Sequence, residues 1–307
     1  MISLRLVVHL GPYARAAIFV GFFVALLAGL TLAARWFRRH RDVLWQLAGS
    51  AWGIVVSSGI VEHARRRYPR AWRIVAARLS PQGYLGLHLT LGLLLSVAAL
   101  VFFGTVAEDI LDREELALVD DRLSVALRGH ATQSGLIVFR TVSLAGSPLT
   151  IALLGVVVAV ALLVGGKRTL LSGWLAALVG GGMLDWVLKA IFRRSRPDTA
   201  WQFLVGHSWS FPSGHSMGSL IAYGMLAYLG VLFTRSTKAG VMIVASAALL
   251  VLAIGFSRLY LGVHYFTDVV GGFSAGAVWL VACITGVEVA RRRRLTEKGE
   301  PARQVDT

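Results

Sequence analysis

Cysteine is almost absent from this chain. Cys283 stands alone among 307 residues, so neither an internal disulfide nor a thiolate metal cluster is open to it. Charge is also scarce: Asp, Glu, Lys and Arg make up 15% of the residues, against 56% hydrophobic. With a mean hydropathy of +0.68, an ordinary soluble domain of this length is excluded. Acidic residues are the scarcer sign, 16 against 31 basic ones. In a soluble protein the net charge of +15 would suggest nucleic acid. Here the Lys and Arg gather in short clusters beside apolar runs, as a topology signal does, and no basic domain or aromatic-interleaved patch supports nucleic-acid binding. The alternation of a transmembrane barrel is missing. So are internal repeats, an HExxH sequence and any Cys/His ligand spacing, so no metal or cofactor is expected.

What remains is long uncharged runs. A helix needs about 20 mostly apolar residues to span a bilayer, and lipid-facing backbone tolerates only helices or closed barrels. The expectation is an all-α polytopic membrane protein. Spans are predicted at 16–34, 85–107, 148–165, 170–191, 217–233, 241–256 and 269–289. The first runs directly into Arg35, Arg38, Arg39 and Arg41 without a small-residue cleavage site, unlike a cleavable signal. Residues 43–61 are only moderately apolar, which favours an interfacial or packed helix. Residues 1–80 are therefore read as an N-terminal membrane segment with a basic linker, 81–290 as the main domain, and 291–307 as a basic disordered cytoplasmic tail.

Charge sets the orientation. Basic groups at 65–78, at Lys167 and Arg168, at Arg235 and Lys238, and in the RRRR run at 291–294 fall on one side, the cytoplasm. The acidic stretch EDILDREELALVDDR (108–122) and the loops 192–216 and 257–268 fall on the other. Residues 123–147 read as an amphipathic stretch leading into the next span.

Three stretches share that outer side: KAIFRRSRPD (189–198), FPSGHS (211–216) and SRLYLGVHYFTD (257–268). Singly each has a structural explanation. Lys189 can snorkel, Ser213 can cap the following helix, and His264 with Asp268 can be a satisfied pair. Together they are hard to dismiss. Lys189, Arg193, Arg194, Arg196 and Arg258 lie where the positive-inside bias disfavours them, and a basic residue at mid-bilayer costs about 2.5–3.5 kcal/mol. Asp185, one helical turn before Lys189, neutralises one charge, and Asp198 or Asp268 is available for another. The remaining cationic excess matches a phosphate group. If the helix continues through Lys189 to Arg196, those two share a face. Ser213, Gly214 and His215 at a helix start offer backbone N–H groups and a close approach for an anion. His264 and Asp268, four apart on one predicted helical face, suit an imidazole oriented by a carboxylate. Two histidines, a carboxylate and a cationic cradle fit phosphoryl transfer, with one imidazole attacking and the other protonating the departing oxygen.

The K-x6-RP, PSGH and SR-x5-H-x3-D patterns in these stretches resemble the type 2 phosphatidic acid phosphatase (PAP2) superfamily, over roughly 85–290. Residues 1–80 lie outside that range, and the basic linker and GYLGLHLTLG (83–92) resemble bacterial members that carry an extra N-terminal membrane segment. The resemblance implies a six-transmembrane-helix core, here with one more N-terminal transmembrane helix, and a metal-independent site at the extracytoplasmic face of the inner membrane. Carried over by position, Lys189, Arg196, Ser213, Gly214 and Arg258 bind phosphate. His264 is the nucleophile that becomes a phosphohistidine, Asp268 orients it, and His215 serves as acid and then base. Asp185, Arg193, Arg194 and Asp198 are not signature residues and are expected around the site. The implied partners are the bilayer and a lipid phosphate or diphosphate such as undecaprenyl diphosphate, phosphatidylglycerol phosphate or phosphatidic acid. A phosphotransferase passing phosphate to another acceptor, and a non-catalytic lipid-binding scaffold, are the alternatives.

Overall fold

A computed structural model describes residues 67–68, 84–112, 115–197, 208–234 and 236–297. The predicted span at 16–34, the segment 43–61 and Asp198 lie outside the described residues. The chain divides into two compact units, Met1–Val24 with Ser96–Thr307, and Ala25–Leu95. The described part of the second is residues 67–68 and the start of the first helix.

The described residues form helices joined by short connections: α1 (Tyr84–Asp112), α2 (Glu115–Gly129), α3 (Gln133–Leu144), α4 (Pro148–Val164), α5 (Arg168–Phe192), α6 (Gly214–Phe233), α7 (Thr237–Tyr260) and α8 (Phe266–Glu297). Six segments are long and apolar enough to cross a bilayer: Gly92–Ile110, Gln133–Val164, Arg168–Phe192, Gly214–Phe233, Thr237–Tyr260 and Phe266–Arg294. The expected all-α polytopic architecture with a six-span core is what is found. Residues 123–147, read as one amphipathic stretch, are divided between α2 and α3. Beyond the last predicted span, α8 continues through Arg291–Arg294 to Glu297, with Arg291 and Arg292 paired to Glu288.

Local chemistry explains several boundaries. Ser147 caps α4 through Thr150 N–H, and Pro148 occupies the first turn, where its missing donor costs nothing. Thr132 caps α3 and Ser236 caps α7 in the same way. α6 lies at the centre, packed on α5, α7 and α8. Its Met217, Ile221, Met225 and Leu229 meet Trp174 and Ala177 of α5 and Ala275 and Val287 of α8. Small residues permit this closeness: a methyl group at Gly180 or Gly181 would run into Trp279 or Ile221. The indoles of Trp174 and Trp279 donate to the carbonyls of Gly155 and Ala177, leaving no buried donor unpaired there. Outward faces of α1, α4 and α5 remain apolar and exposed, including Leu94, Val101, Leu153, Val156 and Trp186. On helices of this length such faces are lipid contacts.

Candidate active site

The three motif-bearing stretches converge on the start of α8. Phe211 is fully buried between α1 and α5, stacking on Phe103 at 5.6 Å and meeting Phe192 edge-on at 4.9 Å. This clasp holds the loop that feeds α6. Ser213 is the N-cap residue of α6, but its hydroxyl makes no capping bond; it accepts from Ser216 Oγ instead, and its own N–H donates to Asp268 O. The first intrahelical bond is Met217 N–H to Ser213 O. The N–H groups of Gly214, His215 and Ser216 therefore begin the helix without an intrahelical acceptor, as expected for an anion-seeking end.

Lys189 reaches that helix start. Its ammonium pairs with Asp185 and donates to Pro212 O at 2.9 Å. A Cβ at residue 214 would lie 3.0 Å from Asp185 Oδ2 and 3.1 Å from Lys189 Nζ. Only glycine leaves the ammonium room beside the backbone.

Two expectations about local geometry are corrected here. α5 does not continue to Arg196: it ends at Phe192, and Arg193 closes it in the left-handed region at φ 45°. Lys189 and Arg196 approach the site from separate segments rather than one helical face. The cause is tertiary, since the next residue, Arg194, is drawn off the helix axis into two buried carboxylates. Likewise His264 is not on a helix with Asp268, because α8 begins at Phe266. The turn before it still brings His264 Nδ1 to 3.4 Å from Asp268 Oδ2.

Around His264 the hydrogen bonds define the tautomer. Arg196 NH1 lies 3.0 Å from His264 Nε2. A guanidinium only donates, so Nε2 carries the lone pair and the ring proton sits on Nδ1, facing Asp268. His264 is 2% exposed. Burial pushes its imidazole down to about 3 against the pull of Asp268, with the charges of Arg196 and Arg258 adding to burial. The ring is neutral at physiological pH.

Asp268 is fully buried and saturated. Oδ1 accepts from Arg194 NH1 at 2.7 Å, while Oδ2 accepts from Tyr265 N–H at 2.9 Å and from the Ser210 hydroxyl. Arg194 also donates NH2 to Asp120 Oδ2 at 2.9 Å and NH1 to Thr267 Oγ1, with its guanidinium 4.3 Å from the centroid of the Tyr265 ring. Burial acts against its charge, yet Asp268 and Asp120 hold it above its ordinary value.

Arg196 spreads its donors over the loop: Nε to Ser208 O at 2.9 Å, NH2 to Ser208 Oγ at 2.8 Å and NH1 to Val263 O at 2.8 Å. It thereby joins the 208–210 segment to the turn carrying His264. Arg258 is different. It is 5% exposed, its NH1 donates to Ser143 Oγ at 2.6 Å, and its Nε and NH2 are buried without a partner. His215 lies within electrostatic reach of Arg258, His264, Arg196 and Lys189. The structure thus gathers Lys189, Arg196, Ser213, Gly214, His215, Arg258, His264 and Asp268, with Asp185 and Arg194 around them. Arg193 is exposed and donates to Ala190 O within its own helix end, away from this network. Sequence reasoning missed Asp120, Ser143, Ser208, Ser210 and Thr267. Among the described residues no group of three or more His, Cys, Asp or Glu is placed to hold a metal ion.

Fold and site together define a multi-pass helical membrane protein whose motif residues surround an oriented, neutral imidazole with cations. Residues 169–292 match the family described as the PAP2 superfamily, in agreement with the resemblance seen in the motifs. It is 44% identical over 110 residues to phosphatidylglycerophosphatase B of Bacillus subtilis (strain 168), a match covering 34% of this chain and 53% of that relative. The chain thus spans about half the length of this curated relative. Among solved structures, it is similar to the transmembrane PAP2-type phosphatidylglycerolphosphate phosphatase from Bacillus subtilis. That match has a TM-score of 0.55 and 27% identity, covering 68% of this chain and 98% of the other.

Proposed function

We propose that the protein is a membrane lipid phosphate phosphatase, of the phosphatidylglycerophosphate type, acting through a phosphohistidine on His264 at the extracytoplasmic face. The observation that carries this reading is Arg258, a buried guanidinium with Nε and NH2 unpartnered beside two histidines. Burying a charge without partners is expensive unless a ligand completes it, and a phosphate oxygen is the acceptor that a planar guanidinium fits. Among the described residues Arg196 and Arg258 have no carboxylate partner, whereas Lys189 and Arg194 do. A phosphate dianion balances those two open charges. The names of the relatives favour phosphatidylglycerophosphate among lipid phosphates.

The chemistry follows from the atoms in place. An arriving phosphate is a stronger acceptor than Nε2, so it turns Arg196 NH1 onto itself and frees the Nε2 lone pair. Nε2 attacks phosphorus, the bond to the lipid oxygen breaks, and that oxygen takes the proton carried by His215. Water then gives a proton to His215 and attacks the phosphohistidine, the P–N bond breaks back onto Nε2, and inorganic phosphate leaves. Charge stabilisation comes from Lys189, Arg196, Arg258 and the N–H groups opening α6.

The test uses the purified protein in mixed micelles, with phosphatidylglycerophosphate compared against prenyl diphosphates and phosphatidic acid. Expected is release of inorganic phosphate that persists in excess EDTA and is inhibited by vanadate, fastest with phosphatidylglycerophosphate. A strict requirement for added divalent metal, or transfer of the phosphoryl group to an acceptor in place of water, contradicts this reading.

A further inference from the structure

Asp120 lies on α2, outside all three motifs, and is 1% exposed. Its carboxylate is fully used. Oδ1 accepts from the backbone N–H of Thr267 at 3.0 Å, and Oδ2 accepts from the Thr267 hydroxyl and from Arg194 NH2. Thr267 sits in the first turn of α8, so a carboxylate from a distant helix caps the N-terminus of the helix that begins with the His264 turn. Arg194 is in turn divided between Asp120 and Asp268.

We propose that Asp120 is a positioning residue for the nucleophile, acting through Arg194 and Thr267 to keep Asp268 both fixed and negatively charged opposite His264. This rests on the phosphatase reading above. When Nε2 bonds phosphorus, the ring keeps its Nδ1 proton and becomes cationic. Asp268 stabilises that developing charge only insofar as its own charge is not cancelled. One guanidinium shared by two carboxylates leaves the buried trio Asp120, Arg194 and Asp268 with a net negative charge. If Arg194 served Asp268 alone, the trio would become a neutral pair and the imidazolium would lose its counter-charge in a poorly screened site. Asp120 touches neither substrate nor the reacting atoms. Its effect belongs on the chemical step and not on phosphate binding, which falls to Lys189, Arg196 and Arg258.

Asp120→Asn keeps the shape and removes the charge. With turnover counted per folded molecule by size exclusion, kcat is expected to fall about 10–100-fold, as for outer partners of functional histidines, with KM changed by less than about threefold. Asp121→Asn, at the exposed neighbouring position, is expected to match the parent. Equal kcat in parent and Asp120→Asn, or a loss seen only in KM or in the folded fraction, overturns the proposal. Should Asp120→Asn fail to fold, Thr267→Val decides: a selective fall in kcat supports the clamp, and a kcat within about twofold of the parent overturns it. A parent that hydrolyses no lipid phosphate rejects the proposed function separately. The clamp is then read from the ¹⁵N-histidine spectrum, where the His264 Nδ1 proton is expected to be sharp in the parent and exchange-broadened in Asp120→Asn. An unchanged resonance overturns the clamp.

Discussion

His264→Ala is expected to lose phosphate release by a factor on the order of 10⁴ or more while the protein still folds. The loss is large because Nε2 is the atom that accepts phosphorus, and no other described side chain shares its setting of an Arg196 donor on one nitrogen and Asp268 opposite the other. The fold survives because the variant strands no charge. Asp268 keeps Arg194, Tyr265 N–H and Ser210, and Arg196 keeps Val263 O and Ser208. Phosphate release from micellar substrate, read beside the thermal melting curve, checks both halves. Turnover within tenfold of the parent would remove His264 from the role given to it.

Arg258→Met is expected to move activity and stability in opposite directions. Arg258 is buried with two of its three nitrogens unpartnered, and Arg196 is a like charge within electrostatic reach. Replacing such a charge by an apolar side chain of similar length stabilises a protein by about 1–3 kcal/mol, so the melting temperature should rise by a few degrees. Removing a donor aimed at charge that develops in the transition state should lower kcat/KM by about 10²–10³-fold. A destabilised Arg258→Met protein would mean that the guanidinium has an internal partner beyond Ser143. A stabilised and fully active one would mean that phosphate does not need it. Strain held at a functional site and released by mutation is a familiar trade of stability against activity.

The spans and motifs were legible because they depend on patterns the sequence displays directly. Apolar runs of bilayer length have few alternatives, and polar residues interrupting them at Lys189, Ser213 and His264 invite an explanation. The ends of elements were less legible. Nothing local in FRRSRP tells a reader that Arg193 turns left-handed. That follows from Arg194 seeking Asp120 and Asp268, which lie 74 positions away in either direction along the chain. Asp120 itself was hidden among seven acidic residues between 108 and 122, beside an equally acidic Asp121. One signal was present. In helical register Asp120 falls four residues after Leu116 and three before Leu123, on the apolar face of α2, while Asp121 does not. A carboxylate on the apolar side of an amphipathic helix asks for a buried cation, and Arg194 answers. The serines at 143, 208 and 210 carried no such mark, because a hydroxyl beside a span is ordinary.

The most direct measurement is rapid-quench trapping. The protein is mixed with ³²P-labelled phosphatidylglycerophosphate, quenched in alkali within one turnover, digested, and sequenced by mass spectrometry. Expected is an alkali-stable, acid-labile phosphoryl group on the peptide holding His264, formed at least as fast as phosphate is released, and formed more slowly in His215→Ala, which lacks the acid for the departing lipid oxygen. Label on another residue, or full turnover with no label at His264, would contradict the transfer of phosphorus to that imidazole.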